Sequence, residues 1–181
     1  MADKKEALEW AVIPPSSATR SIVPDVDHDY DIFDAKVGAA LVYGERRFGI
    51  NLVWGDAATS NNVRFARQSG TRDPIKYKES IAINIRRGGW LVYKKREVGI
   101  NLGWSDSPKF EWRIDGGEPR DTVALPGLIA LHNSVENDWL FYAPREFGIN
   151  LRWTGDAGTR GWLPDAIAAG ELLRKYWDKI F

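Results

Sequence analysis

The chain of 181 residues contains no cysteine, only two histidines and no excess of either charge, with 25 Lys and Arg against 25 Asp and Glu. Without cysteine, the chain cannot form a disulfide or use a thiolate as a nucleophile. Because the net charge is zero, we expect no general affinity for nucleic acid or for an anionic membrane. No apolar run approaches the roughly 20 residues that a membrane-spanning helix requires.

Sequence motifs of common enzymes are also missing. The chain has no Gly-x-Ser-x-Gly, P-loop, zinc-ligand spacing or dinucleotide fingerprint. We therefore expect a protein without catalytic activity, cofactor or metal. The N-terminal segment MADKKEALEW is charged and lacks the apolar stretch of a signal peptide. This predicts a cytoplasmic location by default, and the absence of cysteine is equally compatible with export by a signal-independent route.

One phrase occurs in three copies. LVYGERRFGINLVW ends at Trp54, LVYKKREVGINLGW ends at Trp104, and LFYAPREFGINLRW ends at Trp153. Copies roughly 50 residues apart are typical of an internally repeated fold. With 44% apolar residues and nine Trp, the repeat predicts a single domain over residues 1–181 with one core.

Each copy has the pattern of two short β-strands around a polar turn. In the second strand of the first copy, Ile50, Leu52 and Trp54 share one face, because side chains alternate along a strand. A glycine ends each turn, at positions 49, 99 and 148. This is expected where the backbone needs a positive φ.

Two further strands per repeat are predicted from the segments between the copies. One strand carries paired hydrophobic residues, in Leu8-Glu9-Trp10, Val63-Arg64-Phe65 and Phe110-Glu111-Trp112. The other precedes each hairpin, so each repeat has four strands. No strand of the first kind follows Trp153. The N-terminal strand is therefore expected to complete the third repeat and to remove an exposed sheet edge.

Three repeats of four strands predict an all-β fold, a β-trefoil, over residues 8–155. The segments Ile-Asn-Leu-x-Trp and Phe-Glu-Trp resemble the Ile-Gln-Leu-Trp and Gln-x-Trp motifs of the ricin-B-type β-trefoil lectins. This resemblance implies a lectin-like, carbohydrate-binding scaffold. Sugar sites of that family usually have an Asp just after the Leu of the first hairpin strand. Here these positions are Val42, Val92 and Phe141, so the usual sugar-binding Asp is missing.

The polar residues common to all three copies are the candidate ligand-binding residues. They are Arg46, Arg96 and Arg145 in the turns, Asn51, Asn101 and Asn150 in the strands that follow, and Tyr43, Tyr93 and Tyr142 at the ends of the strands that precede. A guanidinium fork beside an amide and an aromatic ring can bind a hydroxylated, carboxylated or sulfated ligand. The alternative is structural: Asn satisfies backbone groups of the turn, and Arg pairs locally with Glu97 or Glu146.

The tryptophans fall into two groups. Trp54, Trp104 and Trp153 share a face with Ile and Leu, which predicts that they lie in the core. Trp90 and Trp139 begin a strand where the first copy has Ala40. These two are also candidate ligand-binding residues, either as exposed stacking platforms of a sugar site or as side chains partly packed in the core.

Residues 25–31, with the sequence DVDHDYD, alternate carboxylates with other side chains. Such alternation suggests a calcium loop. An EF-hand loop that starts at Asp25 would need Gly in place of Tyr30 and Glu in place of Lys36. We therefore expect a solvated acidic loop.

The C-terminal segment 164–181 differs from the repeats. Asp165 is a suitable N-cap, and apolar residues then recur at helical spacing, which predicts an amphipathic α-helix over residues 165–180. The helix is expected to cover apolar surface of the β-domain, or to mediate self-association or docking on a partner. The apolar residues are Leu172, Leu173, Tyr176, Trp177 and Ile180.

These patterns together predict a non-catalytic recognition module. The first hypothesis is lectin-like glycan binding through up to three related sites, one in each repeat. The alternative is a protein-binding trefoil, such as an inhibitor, a toxin-targeting domain or an assembly domain, without carbohydrate binding. The repeated polar residues favour glycan, and the apolar residues at the missing Asp positions favour a protein surface.

Overall fold

The computed structural model describes residues 6–56, 61–157 and 166–181. As predicted, these residues form a mostly β structure with one C-terminal helix, and a 3-10 turn (Thr154–Ala157) follows the last strand. In chain order the elements of the described ranges are β1 (Trp10–Ile13), β2 (Asp31–Asp34), β3 (Ala39–Tyr43), β4 (Leu52–Gly55), β5 (Val63–Arg67), β6 (Ile81–Ile85), β7 (Gly89–Tyr93), β8 (Leu102–Ser105), β9 (Trp112–Asp115), β10 (Ala130–Asn133), β11 (Asp138–Tyr142), β12 (Leu151–Trp153) and α1 (Ala166–Ile180).

Within each repeat, the four strands pair antiparallel in chain order. β1 pairs with β2, β2 with β3 and β3 with β4, and the same order holds in β5–β8 and β9–β12. The last two strands of each repeat form a hairpin that contains the repeated phrase. The four strands predicted for each repeat are therefore confirmed.

Neighbouring repeats are joined by single antiparallel bridges, each between the first strand of one repeat and the start of the second strand of another, or the residue just before that start. With the pairs β1–β2, β5–β6 and β9–β10, these bridges connect six strands in a closed circuit. β1 closes the circuit through the bridge of Trp10 to Ile129 of the third repeat. The prediction that this strand completes the third repeat was wrong, because β1 pairs within the first repeat and the third repeat has its own four strands, β9–β12. The three bridges are Tyr30 with Val63, Ile81 with Trp112, and Trp10 with Ile129.

The strand register shows which residues are equivalent in the three repeats. Trp10 of β1 and Trp112 of β9 each oppose the last residue of the strand that follows, and Val63 takes this position in β5. Phe65 lies two residues further along β5. The sequence alignment of Phe65 with the two tryptophans was therefore wrong by two positions.

The core lies inside the closed circuit, where three indoles are fully buried. Trp10, Trp112 and Trp153 are at most 1% exposed and pack with buried Ile, Leu and Val. Two of these indoles also satisfy their N–H groups. Trp10 Nε1 donates to the Leu140 carbonyl at 2.7 Å, and Trp112 Nε1 donates to the Leu91 carbonyl at 2.7 Å.

The tryptophans of the repeated phrase do not share one environment. Trp153 lies in the core as predicted, whereas Trp54 and Trp104 are half-buried and pack against the edge of the core. Trp54 stacks on Trp10 with ring centroids 6.2 Å apart, and Trp153 stacks on Trp112 at the same distance.

The C-terminal helix α1 packs on the outer face of the first repeat. Ala169 and Leu173 are buried, and the Tyr176 ring meets Phe33 edge-on with centroids 5.6 Å apart. The predicted amphipathic helix is confirmed, and its proposed N-cap, Asp165, lies outside the described residues. In the described part of the chain, no helix has the length and apolar character that crossing a bilayer requires. The covered residues of the first repeat are Ala11, Ile13, Phe33 and Ala40.

A pair of buried carboxyl groups joins β1 to β2. Glu9 and Asp34 are both 0% exposed and share a hydrogen bond. Glu9 also accepts the backbone N–H of Tyr142, and Asp34 Oδ1 accepts those of Lys36 at 2.8 Å and Val37 at 2.9 Å. Burial and the neighbouring Asp34 raise the pKa of Glu9 to about 9. Burial also raises the pKa of Asp34, so the pair retains a proton at neutral pH.

The third repeat makes the same connection without a shared proton. Asn133 takes the place of Asp34, and its Nδ2 donates to Glu111 Oε1 at 2.9 Å. Its Oδ1 accepts the backbone N–H of Val135 at 2.9 Å and of Glu136 at 3.1 Å. An amide therefore makes both sets of hydrogen bonds that Asp34 makes in the first repeat.

We predict that Asp34→Asn reduces a pH dependence of stability. The pKa of Glu9 rises from 4.5 to about 9 on folding. The resulting stabilisation is fully present below pH 4.5 and is lost as pH rises toward 9. The free energy of unfolding should therefore fall by about 1–3 kcal/mol between pH 5 and 9 in the wild type, and by less in the variant. Urea titration across this pH range measures both profiles.

Asp27→Asn is the matched control for this prediction. The side chain of Asp27 is 94% exposed, so its replacement should leave the wild-type profile unchanged. A wild-type profile that is flat from pH 5 to 9 would show that Glu9 and Asp34 do not share a proton.

Candidate functional site

The turns of the three hairpins meet at one end of the molecule. Gly49, Gly99 and Gly148 have φ values of 77°, 86° and 84°, which favour glycine. A Cβ atom on Gly49 would lie 3.4 Å from the Cα of Gly148 and 3.7 Å from the Cα of Gly99. The three turns therefore approach each other around a common axis, at which a side chain has little space.

The repeated asparagines hold the repeated arginines within each turn. Asn51 Oδ1 accepts the backbone N–H of Arg46 at 3.0 Å. The equivalent pairs, Asn101 with Arg96 and Asn150 with Arg145, have distances of 2.9 Å and 3.0 Å. The alternative that Asn satisfies a backbone group of the turn is therefore observed in all three repeats.

The guanidinium groups of the same arginines connect the repeats in a cycle. Each donates to the carbonyl of the leucine in its own hairpin and to a glycine carbonyl of another repeat. Burial lowers the pKa of the Arg145 guanidinium, and Arg152 adds to this effect. Their partners are backbone carbonyls rather than Glu97 and Glu146. The contacts between repeats are Arg46 to Gly148 at 2.6 Å, Arg96 to Gly49 at 3.1 Å, and Arg145 to Gly99 at 2.8 Å.

The repeated tyrosines also lie between repeats. Each ring contacts the tryptophan of another repeat, with centroids 6.2–6.4 Å apart. All nine candidates of the repeated phrase therefore make contacts inside the protein, and their binding of a ligand stays a prediction. The ring pairs are Tyr43 with Trp104, Tyr93 with Trp153, and Tyr142 with Trp54.

An exposed apolar cluster on these turns was not predicted from the sequence. Phe48, Val98 and Phe147 occupy one position in the three repeats and are 42%, 40% and 47% exposed. The two phenyl rings meet edge-on with centroids 5.5 Å apart, and the Arg47 guanidinium lies 5.2 Å from the centroid of Phe48. A pocket of about 380 Å³ lies beside them, with Glu45 in its lining. The sequence signal that could have identified this cluster is an apolar residue at the same position of all three turns, whose other residues are mostly polar.

Trp90 and Trp139 lie on the outer faces of the second and third repeats. In the register, both are equivalent to Ala40, which is buried beside α1. Trp90 is 8% exposed and Trp139 is half-buried. The helix therefore covers this face in the first repeat, whereas in the other two repeats the tryptophan packs partly on apolar side chains and has polar side chains beside it.

In the second repeat, Arg64 lies over Trp90. Its guanidinium is 5.0 Å from the centroid of the indole, and it pairs with the exposed Asp27 at 3.8 Å. Asn84, which opposes Trp90 in the sheet, shares a hydrogen bond of 2.7 Å with His28 Nε2. This cluster combines an aromatic ring, a cation and an amide.

In the third repeat, Trp139 lies among Asp115, Arg113 and His132. Trp139 Nε1 donates to Asp115 Oδ2 at 2.8 Å, and Arg113 Nε donates to Asp115 Oδ1 at 3.0 Å. The His132 ring meets Trp139 edge-on at 5.0 Å. Burial lowers the pKa of His132, and the nearby Arg113 adds to this effect. His132 is therefore neutral at pH 7, and its buried Nδ1 has no hydrogen-bond partner in the described ranges.

The acidic segment 25–31 is not wholly solvated. Asp27 is exposed, but Asp31 is fully buried. Asp31 accepts the backbone N–H of Asn61 at 3.1 Å and of Asn62 at 3.2 Å. The expectation of a solvated loop was therefore wrong for Asp31, because this carboxylate holds the chain that leads into β5. Within residues 6–56, 61–157 and 166–181, no group of three or more acidic or His side chains could hold a metal ion.

We predict that Arg46→Ala destabilises the fold by about 2 kcal/mol. The change removes charged hydrogen bonds to the Leu52 and Gly148 carbonyls, and a hydrogen bond from a charged group typically contributes about 1.5–3 kcal/mol. Urea denaturation measures the loss. Arg47→Ala is the control, because this neighbour is exposed and should change stability by less than about 0.5 kcal/mol. Equal effects of the two changes would contradict a structural role for Arg46.

No protein-family model, curated protein or solved structure gives a significant match to this chain. The assignment of function therefore depends on the geometry of the chain itself.

Proposed function

We propose that the chain is a β-trefoil recognition module that binds glycans on the outer faces of its second and third repeats. The closed circuit of six strands, the three hairpins at one end and the cyclic arginine contacts support the trefoil. They are the features expected of threefold internal symmetry. The proposal includes no catalytic step.

The pair of tryptophan clusters is the observation that carries the proposal. Trp90 and Trp139 occupy the same strand position, and each has an Arg and hydrogen-bonding polar groups beside it. Sugars stack their C–H groups on aromatic rings and exchange hydrogen bonds between their hydroxyls and planar polar groups. The two clusters therefore offer the chemistry that a glycan requires.

The first repeat lacks this chemistry. Ala40 stands at the tryptophan position, and Phe33 stands where the other repeats have Asn84 and His132. The helix α1 then covers the apolar face that results. The proposal therefore has two sites, in place of the three that the sequence repeat allows.

The proposed sites also differ from the repeated arginines. The donors of Arg46, Arg96 and Arg145 are directed to backbone carbonyls, so a ligand would have to compete with bonds that join the repeats. A ligand at the tryptophan clusters would compete with the Arg64–Trp90 and Trp139–Asp115 contacts, each of which lies within one repeat. Each site is expected to be weak alone, and two sites on one molecule increase the affinity for a surface that displays many glycans.

A glycan array with neutral, carboxylated and sulfated members tests this proposal on the full chain. The wild type should bind a subset of the array. Trp139→Ala should reduce surface binding at least about tenfold, because it removes a stacking surface and one of two sites. Trp139→Phe keeps a ring without the bond to Asp115 and should retain more binding than the alanine variant.

Ala40 provides the structural control, since the first repeat already has alanine at this strand position. Near-UV circular dichroism and thermal melting should therefore show a folded Trp139→Ala protein. Arg47→Ala, on the turns, should bind glycans like the wild type. Absence of wild-type binding, or unchanged binding when both Trp90 and Trp139 are replaced by Ala, would exclude these glycan sites.

Protein binding without carbohydrate is the second candidate function. The exposed side chains of Phe48, Val98 and Phe147 favour it, because aromatic residues within a charged rim are typical of protein interfaces. The array discriminates between the two candidates, since glycan binding does not require these three side chains.

A further inference from the structure

The ends of the three hairpin turns form a single exposed surface, which we call the turn face. It consists of residues 44–49, 94–99 and 143–148. Its centre is apolar, because Phe48, Val98 and Phe147 project there with 40–47% exposure. A cluster of this kind on a folded protein commonly marks an interaction surface.

The charged side chains around this centre differ from turn to turn. Arg46, Arg96 and Arg145 are common to the three turns and bind carbonyl groups, so the differences come from the other charged residues. The first turn has one Glu and one Arg, the second has two Lys and one Glu, and the third has one Glu. The first turn is therefore balanced, the second has an excess positive charge and the third an excess negative charge. The exposed residues are Glu45 and Arg47, then Lys94, Lys95 and Glu97, and finally Glu146.

One further cation lies beside the third turn. Arg152 Nε donates to the Pro144 carbonyl at 3.1 Å. Its side chain is half-buried, whereas Glu146 is exposed on the turn itself. Within residues 143–148, Glu146 is the exposed charged side chain, and the Arg152 cation beside the turn partly offsets its charge.

We propose that the turn face binds a second copy of this chain. The two copies would face each other with a twofold axis perpendicular to the threefold axis of the repeats. When two copies face each other, the three turns follow one another clockwise around the common axis in one copy and anticlockwise in the other. An axis through the first turn therefore places the first turn on its own counterpart, and the second turn on the third turn of the other copy.

The threefold symmetry permits three such arrangements, with the twofold axis through the first, the second or the third turn. The charges of the turns favour the axis through the first turn. An axis through the second turn would place Lys94 and Lys95 against themselves, and an axis through the third turn would place Glu146 against itself. The axis through the first turn instead places the two lysines opposite Glu146, twice in each dimer. Because the net charge of the chain is zero, no overall repulsion opposes the approach of the two copies.

The expected dimer is weak. Three half-exposed side chains and a narrow charged rim bury less area than the roughly 1,000 Å² of a stable specific interface. We expect a dissociation constant on the order of 10–1,000 μM, and weaker binding at high salt because the charged contacts are exposed. The inference does not depend on glycan binding, since Trp90 and Trp139 lie on other faces.

Sedimentation equilibrium of the full chain from about 10 μM to 1 mM tests whether the apolar centre of the turn face is required for dimerisation. The wild type should dimerise, and Phe48→Ser with Phe147→Ser should remain monomeric, with folding checked by circular dichroism. Val135→Ser is the matched control, because Val135 is 59% exposed and lies on the turn between β10 and β11. This control should dimerise like the wild type.

A charge exchange tests the orientation. Lys95→Glu alone and Glu146→Lys alone should each weaken the dimer at least about fivefold at low salt, because like charges then face each other. The two changes in one chain restore opposite charges and should return the affinity to within about twofold of the wild type. Lys95 is preferred to Lys94, whose side chain packs over Gly103.

Four results would overturn the proposal. They are a wild type that stays monomeric at 1 mM, serine variants that dimerise like the wild type, single charge variants without effect, and a double variant no better than the single ones. Dimerisation that survives the serine changes and is lost when residues 166–180 are altered would assign self-association to α1. A monomeric wild type whose turn face binds a different protein would assign the face to that partner.

Discussion

The fold depends on a cycle of hydrogen bonds from arginine to backbone carbonyls at the axis of the repeats. Arg46, Arg96 and Arg145 each donate to a glycine carbonyl of another repeat, and each main-chain N–H is held by the asparagine of its own turn. A repeat on its own would leave a partly buried guanidinium and a carbonyl without partners, which is costly. Because the contacts form a cycle, the first and last repeats are joined like neighbours. The tyrosine–tryptophan contacts follow the same cycle and extend it toward the core.

The three repeats are most similar where they meet and least similar on their outer faces. At one outer position the chain has Ala40 under a helix, Trp90 under Arg64, and Trp139 bonded to Asp115. Differences also occur in the interior. The link between the first two strands is a proton-sharing carboxyl pair in the first repeat and a carboxyl–amide pair in the third. Interior changes had to preserve the hydrogen bonds, whereas outer faces could acquire a helix or polar clusters. The residues that differ between repeats are therefore better candidates for ligand contacts than those that recur.

The repeated polar residues were reasonable candidates from sequence, because core packing does not explain an arginine in a turn. Besides the leucine carbonyl of its own hairpin, each arginine binds a glycine carbonyl 46 to 102 positions away along the chain. No local pattern identifies such partners, since they come together only when the strands close. The apolar cluster of the turn face was overlooked for the opposite reason. Phe48 and Phe147 lie in segments whose other residues are polar, and a single apolar residue in a turn is common on protein surfaces.

The sequence by itself determined the number of repeats, the four strands in each and the C-terminal helix. These features depend on the local periodicity of apolar residues and on the positions of glycine, and both can be read from the amino-acid sequence. Only the tertiary structure decided which side chains are buried and which side-chain hydrogen-bond donors already have a partner within the protein. Trp153 is enclosed while Trp54 and Trp104 remain at the edge, and the carboxyl groups of Asp31, Glu9 and Asp34 are buried although carboxyl groups usually lie in solvent. Burial is set by how three non-identical repeats close around one axis and by which face the helix covers. Both are relations between distant parts of the chain.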